Sequence, residues 1–110
     1  MRGMIWALAC WPGMLAAQEW VRADEAAIRA ALGDRTVRFD AYTVQHFGAD
    51  GETEFVTERA ANGRWTVQDG QYCSQWPPTE RLECYDVDLA GDRIRFIYHT
   101  GAVSEGVFAR

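Results

Sequence analysis

The sequence predicts an all-β fold, namely a small antiparallel up-and-down barrel or half-barrel of about eight short strands with one short N-terminal helix. Two observations support this prediction. Short runs of alternating apolar and polar residues are separated by turns rich in Gly and Asp along most of the 110 residues. A helical period occurs only once, near the start of the chain. Because helices do not alternate with strands, the pattern argues against a parallel sheet.

The clearest turn signal is Asp69-Gly70, which separates two alternating runs. Both central positions of a type I′ hairpin turn need a positive φ, and the Asp-Gly pair meets that need. A two-residue turn at this point pairs Val67 with Tyr72 and Thr66 with Cys73.

A further hairpin is predicted around Ala90-Gly91 as a two-residue turn. Its register places Val87 opposite Ile94 and Asp86 opposite Arg95, with apolar pairs on one face and charged pairs on the other. Each cross-strand pair contributes only ~0.2–1 kcal/mol. Together the pairs oppose a register slip, which would turn every side chain to the wrong face.

The single helix is predicted over residues 24–32. Asp24 is a suitable N-cap, Glu25 suits the first turn, and Gly33 supplies the C-terminal stop. We expect this helix to cover an open end or edge of the barrel.

Residues 1–17 have the pattern of a secretory signal peptide, with Arg2 as the positive region and Leu15-Ala16-Ala17 as the small-residue ending. We expect cleavage before Gln18, which leaves residues 18–110 as a single β-rich domain in the periplasm or outside the cell. Two alternatives remain, a lipoprotein site at Cys10 and an uncleaved anchor. The apolar run is shorter than the ~20 residues that span a bilayer.

The two cysteines that remain after cleavage are predicted to form a disulfide. A loop over residues 77–80 places Cys73 opposite Cys84, and an oxidising compartment favours their bond. Opposed strand residues have Cβ atoms ~4.5–5.5 Å apart, and a disulfide needs ~3.5–4.5 Å, so a non-hydrogen-bonded pair would fit. The alternative is two buried free thiols. The C-x10-C spacing matches neither a thioredoxin motif nor a zinc site.

The chain is acidic, with a formal net charge of −5. Loss of residues 1–17 removes one of the eleven arginines and no acid, which leaves −6. Such a domain lacks the basic footprint of nucleic-acid binders and does not suit anionic lipid surfaces. We therefore expect no nucleic-acid partner and no stable membrane insertion after signal cleavage. A basic protein partner would fit the charge.

We expect no catalytic residue, no metal site and no cofactor. Neither His46 nor His99 has a His, Cys or paired carboxylate nearby at ligand spacing, so a metal site would have to assemble across strands. Glu52 and Glu54 share one strand face, as an acid–base pair would. Two carboxylates on an exposed strand are more often a solvated face.

Trp76, Pro77 and Pro78 form the candidate interaction surface, at the tip of a predicted hairpin. A tryptophan beside two prolines offers a rigid apolar anchor of the kind that dominates interfaces. The alternative is that Trp76 folds back onto the barrel end and closes the core.

Four stretches follow the short helix in this order: T-V-R-F, F-G-A-D-G, G-R-W-x-V-x-D-G-x-Y-C-S-Q-W-P-P and E-C-Y-D-V. They resemble the sequences of a family of small secreted proteins from proteobacteria that has no assigned function. The most specific part of the resemblance covers residues 63–87. The resemblance implies a periplasmic β-rich domain with one disulfide and offers no catalytic residue to carry over.

The fold and charge predict a non-enzymatic periplasmic binding or protein-interaction module whose partner is a protein or a small apolar ligand. One alternative is an inhibitor-like domain that acts on a basic enzyme such as lysozyme, because an acidic surface suits such a target. Another is a carrier of a small apolar ligand, because an eight-stranded barrel can hold one. Against a carrier, we expect the interior to be filled by the aromatic residues Trp65, Tyr72, Tyr85, Phe96 and Tyr98.

Overall fold

The computed structural model describes residues 18–110, so the predicted signal peptide lies outside the described residues. Within this range the chain forms one helix and nine strands. In chain order they are β1 (Val21–Arg22), α1 (Glu25–Leu32), β2 (Arg35–Asp40), β3 (Thr43–Phe47), β4 (Glu52–Val56), β5 (Ala60–Gln68), β6 (Gln71–Gln75), β7 (Glu83–Ala90), β8 (Arg93–Tyr98) and β9 (Val103–Phe108).

Strands β2 to β9 form a closed antiparallel barrel. Each pairs with the next in sequence, and β9 returns to pair with β2 through Val107 opposite Arg38 and Phe108 opposite Val37. The predicted all-β, up-and-down barrel of eight strands is therefore confirmed, and of the two predicted forms the barrel, not the half-barrel, is correct. Along residues 18–110, no helix combines the length and apolar character needed to cross a membrane.

Strand β1 is an addition that the sequence did not reveal. Strand β7 pairs with β6 only at its start, over residues 83–85. Further along, β1 pairs with the same strand, with Val21 opposite Leu89 and Arg22 opposite Asp88. This two-residue strand therefore occupies an edge of β7 that the β6–β7 hairpin leaves unpaired.

The registers predicted for the hairpin at Asp69-Gly70 and for the hairpin with the loop over residues 77–80 are correct. Asp69 and Gly70 have φ values of 53° and 75°, as a type I′ turn requires. Thr66 lies opposite Cys73, and Cys73 lies opposite Cys84. The two cysteines form a disulfide, and their Cα atoms are 4.0 Å apart. A disulfide of this kind fits a protein that folds in an oxidising compartment, such as the periplasm or the extracellular space.

The register predicted for the hairpin between β7 and β8 is wrong by two residues. Its turn is Gly91-Asp92, one residue later than the predicted Ala90-Gly91, and Arg95 lies opposite Asp88 instead of Asp86. The turn has a glycine with φ 62° at its first central position, which is the preference of a type II′ hairpin. Because the shift is even, every side chain keeps its face and Arg95 still lies opposite an acid.

Helix α1 begins and ends as the sequence predicts. The Asp24 side chain accepts a hydrogen bond from the backbone N–H of Ala27 at 2.9 Å, and Gly33 follows the last turn. Ile28 and Leu32 on one face of the helix are completely buried. The helix packs on β2, β5 and β6 and covers one end of the barrel.

The hydrophobic core fills the half of the barrel beneath this helix. Its members come from nearly every strand and point inward: Val37, Phe47, Trp65, Val67, Val87, Ile94 and Phe108. Burial of one such side chain contributes ~1.5–3 kcal/mol. The helix and this half of the barrel therefore form one packed unit.

A buried carboxylate fastens the N-terminal segment to the outside of the barrel. Asp88 is 6% exposed and accepts hydrogen bonds from Arg22 at 2.6 Å and from Arg95 Nε at 3.1 Å. The Nη2 atom of Arg95 also forms an ion pair with Asp88 at 2.9 Å. Arg93 and Arg95 lie over the ring of Trp20, at 4.7 and 4.4 Å from its centroid. Burial by itself would raise the pKa of Asp88, but the hydrogen bonds and charges of Arg22 and Arg95 hold this pKa below its ordinary value.

Replacement of both cysteines by serine should cost ~2–5 kcal/mol of unfolding free energy, because the bridge restricts the unfolded chain. The measurement is guanidinium unfolding of the oxidised protein and of the Cys73→Ser, Cys84→Ser variant. Reduced wild-type protein serves as the control and should resemble the double variant. Equal midpoints for the oxidised protein and the double variant would contradict a stabilising bridge.

Asp88→Asn should lower the free energy of unfolding at neutral pH by ~1–3 kcal/mol, since hydrogen bonds to a charged group are lost. The folded pKa of Asp88 lies below the unfolded value, so its contribution is present above the unfolded pKa of ~3.9 and is lost as the pH falls through the folded pKa. The difference in the free energy of unfolding between the wild type and Asp88→Asn should therefore become smaller at acidic pH.

Thermal unfolding at neutral pH and in acid measures this dependence. Asp92→Asn, at the exposed turn between β7 and β8, is the matched control and should leave the pH dependence unchanged. A constant difference between wild type and Asp88→Asn at every pH would show that the charge of Asp88 does not stabilise the fold.

Candidate functional site

A cavity of about 640 Å³ occupies the end of the barrel opposite helix α1. It lies among the inward-facing side chains near the ends of the strands that are remote from the helix. Half of the twelve side chains in its wall are aromatic, namely Phe39, Phe55, Tyr72, Trp76, Tyr85 and Phe96. Polar side chains and one alanine complete the wall: Thr43, Gln45, Ala61, Ser74, Ser104 and Glu105.

The aromatic rings hold one another around the cavity. The centroid of Phe96 lies 5.1 Å from that of Tyr72 and 6.1 Å from that of Phe39. The rings of Phe55 and Trp76 meet edge to face at 6.3 Å. Each such pair adds ~0.5–1.5 kcal/mol beyond area burial. The aromatic residues of the wall therefore contact one another across different strands.

The expectation that aromatic residues fill the barrel is correct for only one of its halves. Trp65 packs in the core and is 9% exposed. Tyr72 and Phe96 also belong to the buried core, and Tyr85 packs against it, but all three contribute to the cavity wall as well. Tyr98 donates a hydrogen bond to Glu83 and is not part of the wall. The interior therefore combines a packed half with a half that has room for another molecule.

Trp76 turns back against the barrel and forms part of the cavity wall. Its indole N–H donates a hydrogen bond to the Oγ atom of Ser74 at 3.1 Å, and the ring is half-buried. Pro77 and Pro78, the other two residues of the candidate interaction surface, are exposed beside it. A protein-binding role for this surface stays a prediction, and the position of Trp76 connects it to the cavity.

Gly63 on β5 allows this position of Trp76. A Cβ atom on Gly63 would lie 2.6 Å from the carbonyl oxygen of Gln75 and 2.6 Å from the Trp76 ring. The sequence motif that contains Gly63 did not indicate a role for this residue. A glycine inside a strand often marks close approach of other groups, and this was the signal that could have revealed it.

A buried polar cluster lies at the inner part of the cavity. The Nε2 atom of Gln45 donates to Thr53 Oγ1 at 2.9 Å and to the Tyr72 hydroxyl at 3.2 Å. Thr53 in turn donates to the carbonyl oxygen of His46 at 2.7 Å. Burial raises the pKa of Tyr72 to about 12, although hydrogen bonds from Ser74 and Gln45 act in the opposite direction. Tyr72 therefore stays protonated at physiological pH.

Sequence reasoning missed Gln45, the most buried polar residue on the cavity side of β3. The signal was its position between Thr43 and Phe47, because alternate residues of a strand point to the same face. A glutamine on the inward face of a barrel strand has to find buried partners. Those partners, Thr53 and Tyr72, come from other strands and could not be identified without the fold.

The two histidines lie apart from the cavity wall. His46 is on the outer face of β3, where its Nδ1 atom lies 2.9 Å from Thr36 Oγ1. The ring of His99 contacts that of Tyr98, with centroids 4.2 Å apart and the ring planes tilted by 43°. Among residues 18–110, no group of three or more His, Cys, Asp or Glu side chains could hold a metal ion.

Glu52 and Glu54 also lie outside the cavity. Glu52 forms an ion pair with Arg64, its partner on β5, at 2.7 Å. Glu54 is exposed and lies opposite Asn62. The structure thus places both carboxylates on the outer, solvent-facing side of the barrel.

Comparison of the chain with models of protein families, with curated proteins and with solved structures finds no match. The family resemblance based on residues 63–87 therefore stays a prediction.

Gly63→Ala should displace the Trp76 ring and lower the free energy of unfolding by ~1–3 kcal/mol, because the added methyl group overpacks the strand. Near-ultraviolet circular dichroism and thermal unfolding report the ring environment and the stability. Asn62→Ala, on the outer face next to it, is the matched control. Wild-type spectra and stability in Gly63→Ala would show that β5 and Trp76 do not need a glycine.

Proposed function

We propose that this protein is a non-enzymatic binding protein of the periplasm or extracellular space, and that its barrel cavity carries a small apolar ligand. The observation that carries this proposal is the cavity of about 640 Å³ with six aromatic side chains in its wall. The proposal joins two of the functions that the sequence left open, a binding module and a carrier.

The size and chemistry of the cavity support this function. Ligand pockets in proteins are typically ~300–1,000 Å³ and are lined mainly by apolar and aromatic groups with a few polar ones. Apolar area removed from water contributes roughly 25 cal/mol per Å². Flat aromatic walls also offer stacking and edge-to-face contacts to a ring-containing ligand.

The disulfide supports the same function, because it joins two strands of the cavity wall. Cys73 lies between Tyr72 and Ser74 on β6, and Cys84 precedes Tyr85 on β7. The neighbours that line the cavity point inward, so the bridge lies on the other face of the sheet and takes no space from the cavity. A wall held in place before binding lowers the entropy lost when a ligand binds.

Ala61→Trp should block the cavity and weaken binding of the uncharged fluorescent probe N-phenyl-1-naphthylamine by tenfold or more. Ala61 lies in the cavity wall, and the added indole would occupy its volume. Ala60→Trp is the matched control, because the preceding residue of the strand points outward. Fluorescence titration gives the dissociation constant for the wild type and both variants.

If Ala61→Trp and Ala60→Trp both fold and bind the probe with equal affinity, the probe binds outside the cavity. This result would contradict the proposed function. Native mass spectrometry of the protein purified from its own compartment offers an independent measurement. A co-purifying small molecule should be retained by Ala60→Trp and lost from Ala61→Trp.

A further inference from the structure

The buried polar cluster in the cavity presents a matched pair of hydrogen-bonding groups. Gln45 is 7% exposed and Tyr72 is 4% exposed, and both line the cavity. The cluster also shows which of their atoms are already engaged by the protein and which are left for a ligand.

The orientation of the Gln45 amide follows from its neighbours. The Thr53 hydroxyl lies 2.7 Å from the carbonyl oxygen of His46, which can only accept, so the single proton of Thr53 is donated there. Thr53 must then accept from Gln45, and the atom at 2.9 Å must be the amide nitrogen. The second proton of that nitrogen points to the Tyr72 hydroxyl at 3.2 Å.

Two complementary groups of the cluster remain for a ligand. Among the described residues, the Oε1 atom of Gln45 receives no hydrogen bond. The hydroxyl oxygen of Tyr72 accepts from Gln45 and from Ser74, which leaves its own proton for a ligand. Buried polar groups are normally hydrogen-bonded. A ligand hydroxyl can donate to Gln45 and accept from Tyr72 at the same time, which a carboxylate cannot do.

The charges around the cavity favour an uncharged ligand. No arginine of the described chain lines the cavity, so a carboxylate would be buried without a cationic partner. Glu105 is the single acidic residue in the wall, and its Oε2 atom lies 3.1 Å from Arg93, which already compensates its charge. A cation drawn to the aromatic wall would therefore find no free carboxylate.

We propose that the cavity selects an uncharged aromatic alcohol, whose ring lies among the aromatic side chains and whose hydroxyl donates to Gln45 and accepts from Tyr72. This inference rests on the proposed function, because it names the class of ligand that the same cavity carries. It assigns to Gln45 and Tyr72 the role of specificity-determining residues.

Three probes of similar shape test the inference: 2-naphthol, 2-methylnaphthalene and 2-naphthoate. Isothermal titration calorimetry of the full oxidised protein at neutral pH should give an affinity for 2-naphthol at least about tenfold above that for 2-methylnaphthalene, since the methyl group leaves two buried polar groups without partners. Binding of 2-naphthoate should be weaker than binding of either uncharged probe.

Gln45→Met and Tyr72→Phe keep the shape of their side chains and should each reduce the preference for 2-naphthol severalfold while 2-methylnaphthalene still binds. Gln71→Met is the matched control, because Gln71 lies on the outer face of β6, bonded to Asp86 at 3.2 Å. If one of the two variants Gln45→Met and Tyr72→Phe does not fold, the other is sufficient for the test. Circular dichroism and thermal unfolding identify the folded variants.

The outcomes separate this inference from the function on which it rests. If the probes bind without preference for the hydroxyl, or if 2-naphthoate binds tightest, the cavity is a carrier site and the assigned ligand class is wrong. Tighter binding of benzyltrimethylammonium than of 2-naphthol would also overturn it in favour of a cation. If no probe binds and Ala61→Trp has no effect on N-phenyl-1-naphthylamine, the proposed function fails as well.

Discussion

The closure of the barrel between β9 and β2 is the contact on which the rest of the structure depends. Only two residue pairs form this ladder, and the bond from Ala109 N to Thr36 O at 2.8 Å extends it. Gly106 makes the close approach possible, because a Cβ atom there would lie 2.4 Å from Val37 and 3.0 Å from the carbonyl oxygen of Arg38. Without closure the inward faces of eight strands would not share one interior, and neither the core nor the cavity would exist.

The two halves of this interior differ because the covering elements differ. At one end helix α1 inserts Ile28 and Leu32, which complete the apolar packing of the strands. At the other end no helix covers the barrel in the described chain, and half of the twelve residues that line the cavity there are aromatic. Aromatic side chains in contact with one another leave a space between them. Flexible aliphatic side chains would fill this space more easily than planar rings do. One half of the interior is therefore packed, and the other contains the cavity with its aromatic residues.

Two groups of buried polar residues serve different purposes in the molecule. On the outside, Asp88 holds Arg22 and Arg95 and thereby attaches β1 and the preceding residues to the barrel. On the inside, Gln45 and Tyr72 satisfy each other only in part, so their remaining hydrogen-bonding capacity faces the cavity. The carboxylate of the outer group is paired within the protein, whereas in our proposal the inner group recognises a ligand. A buried polar group left without any partner is costly, and a ligand that supplies the partner gains selectivity from that cost.

By itself, the sequence determined the features that depend on a few neighbouring residues. Asp69-Gly70 favoured a type I′ turn because both central positions of that turn need a positive φ, and the two-residue turn defined the register that brings Thr66 opposite Cys73. The loop over residues 77–80 then placed Cys73 opposite Cys84. Only the tertiary structure decided the later turn at Gly91-Asp92, where neighbouring residues allow either of two registers that preserve the faces. It also decided the pairing of β1, the inward turn of Trp76, and the meeting of Gln45 with Tyr72. These depend on packing between strands that are distant in sequence, and the volume left inside a barrel is determined by all eight strands together.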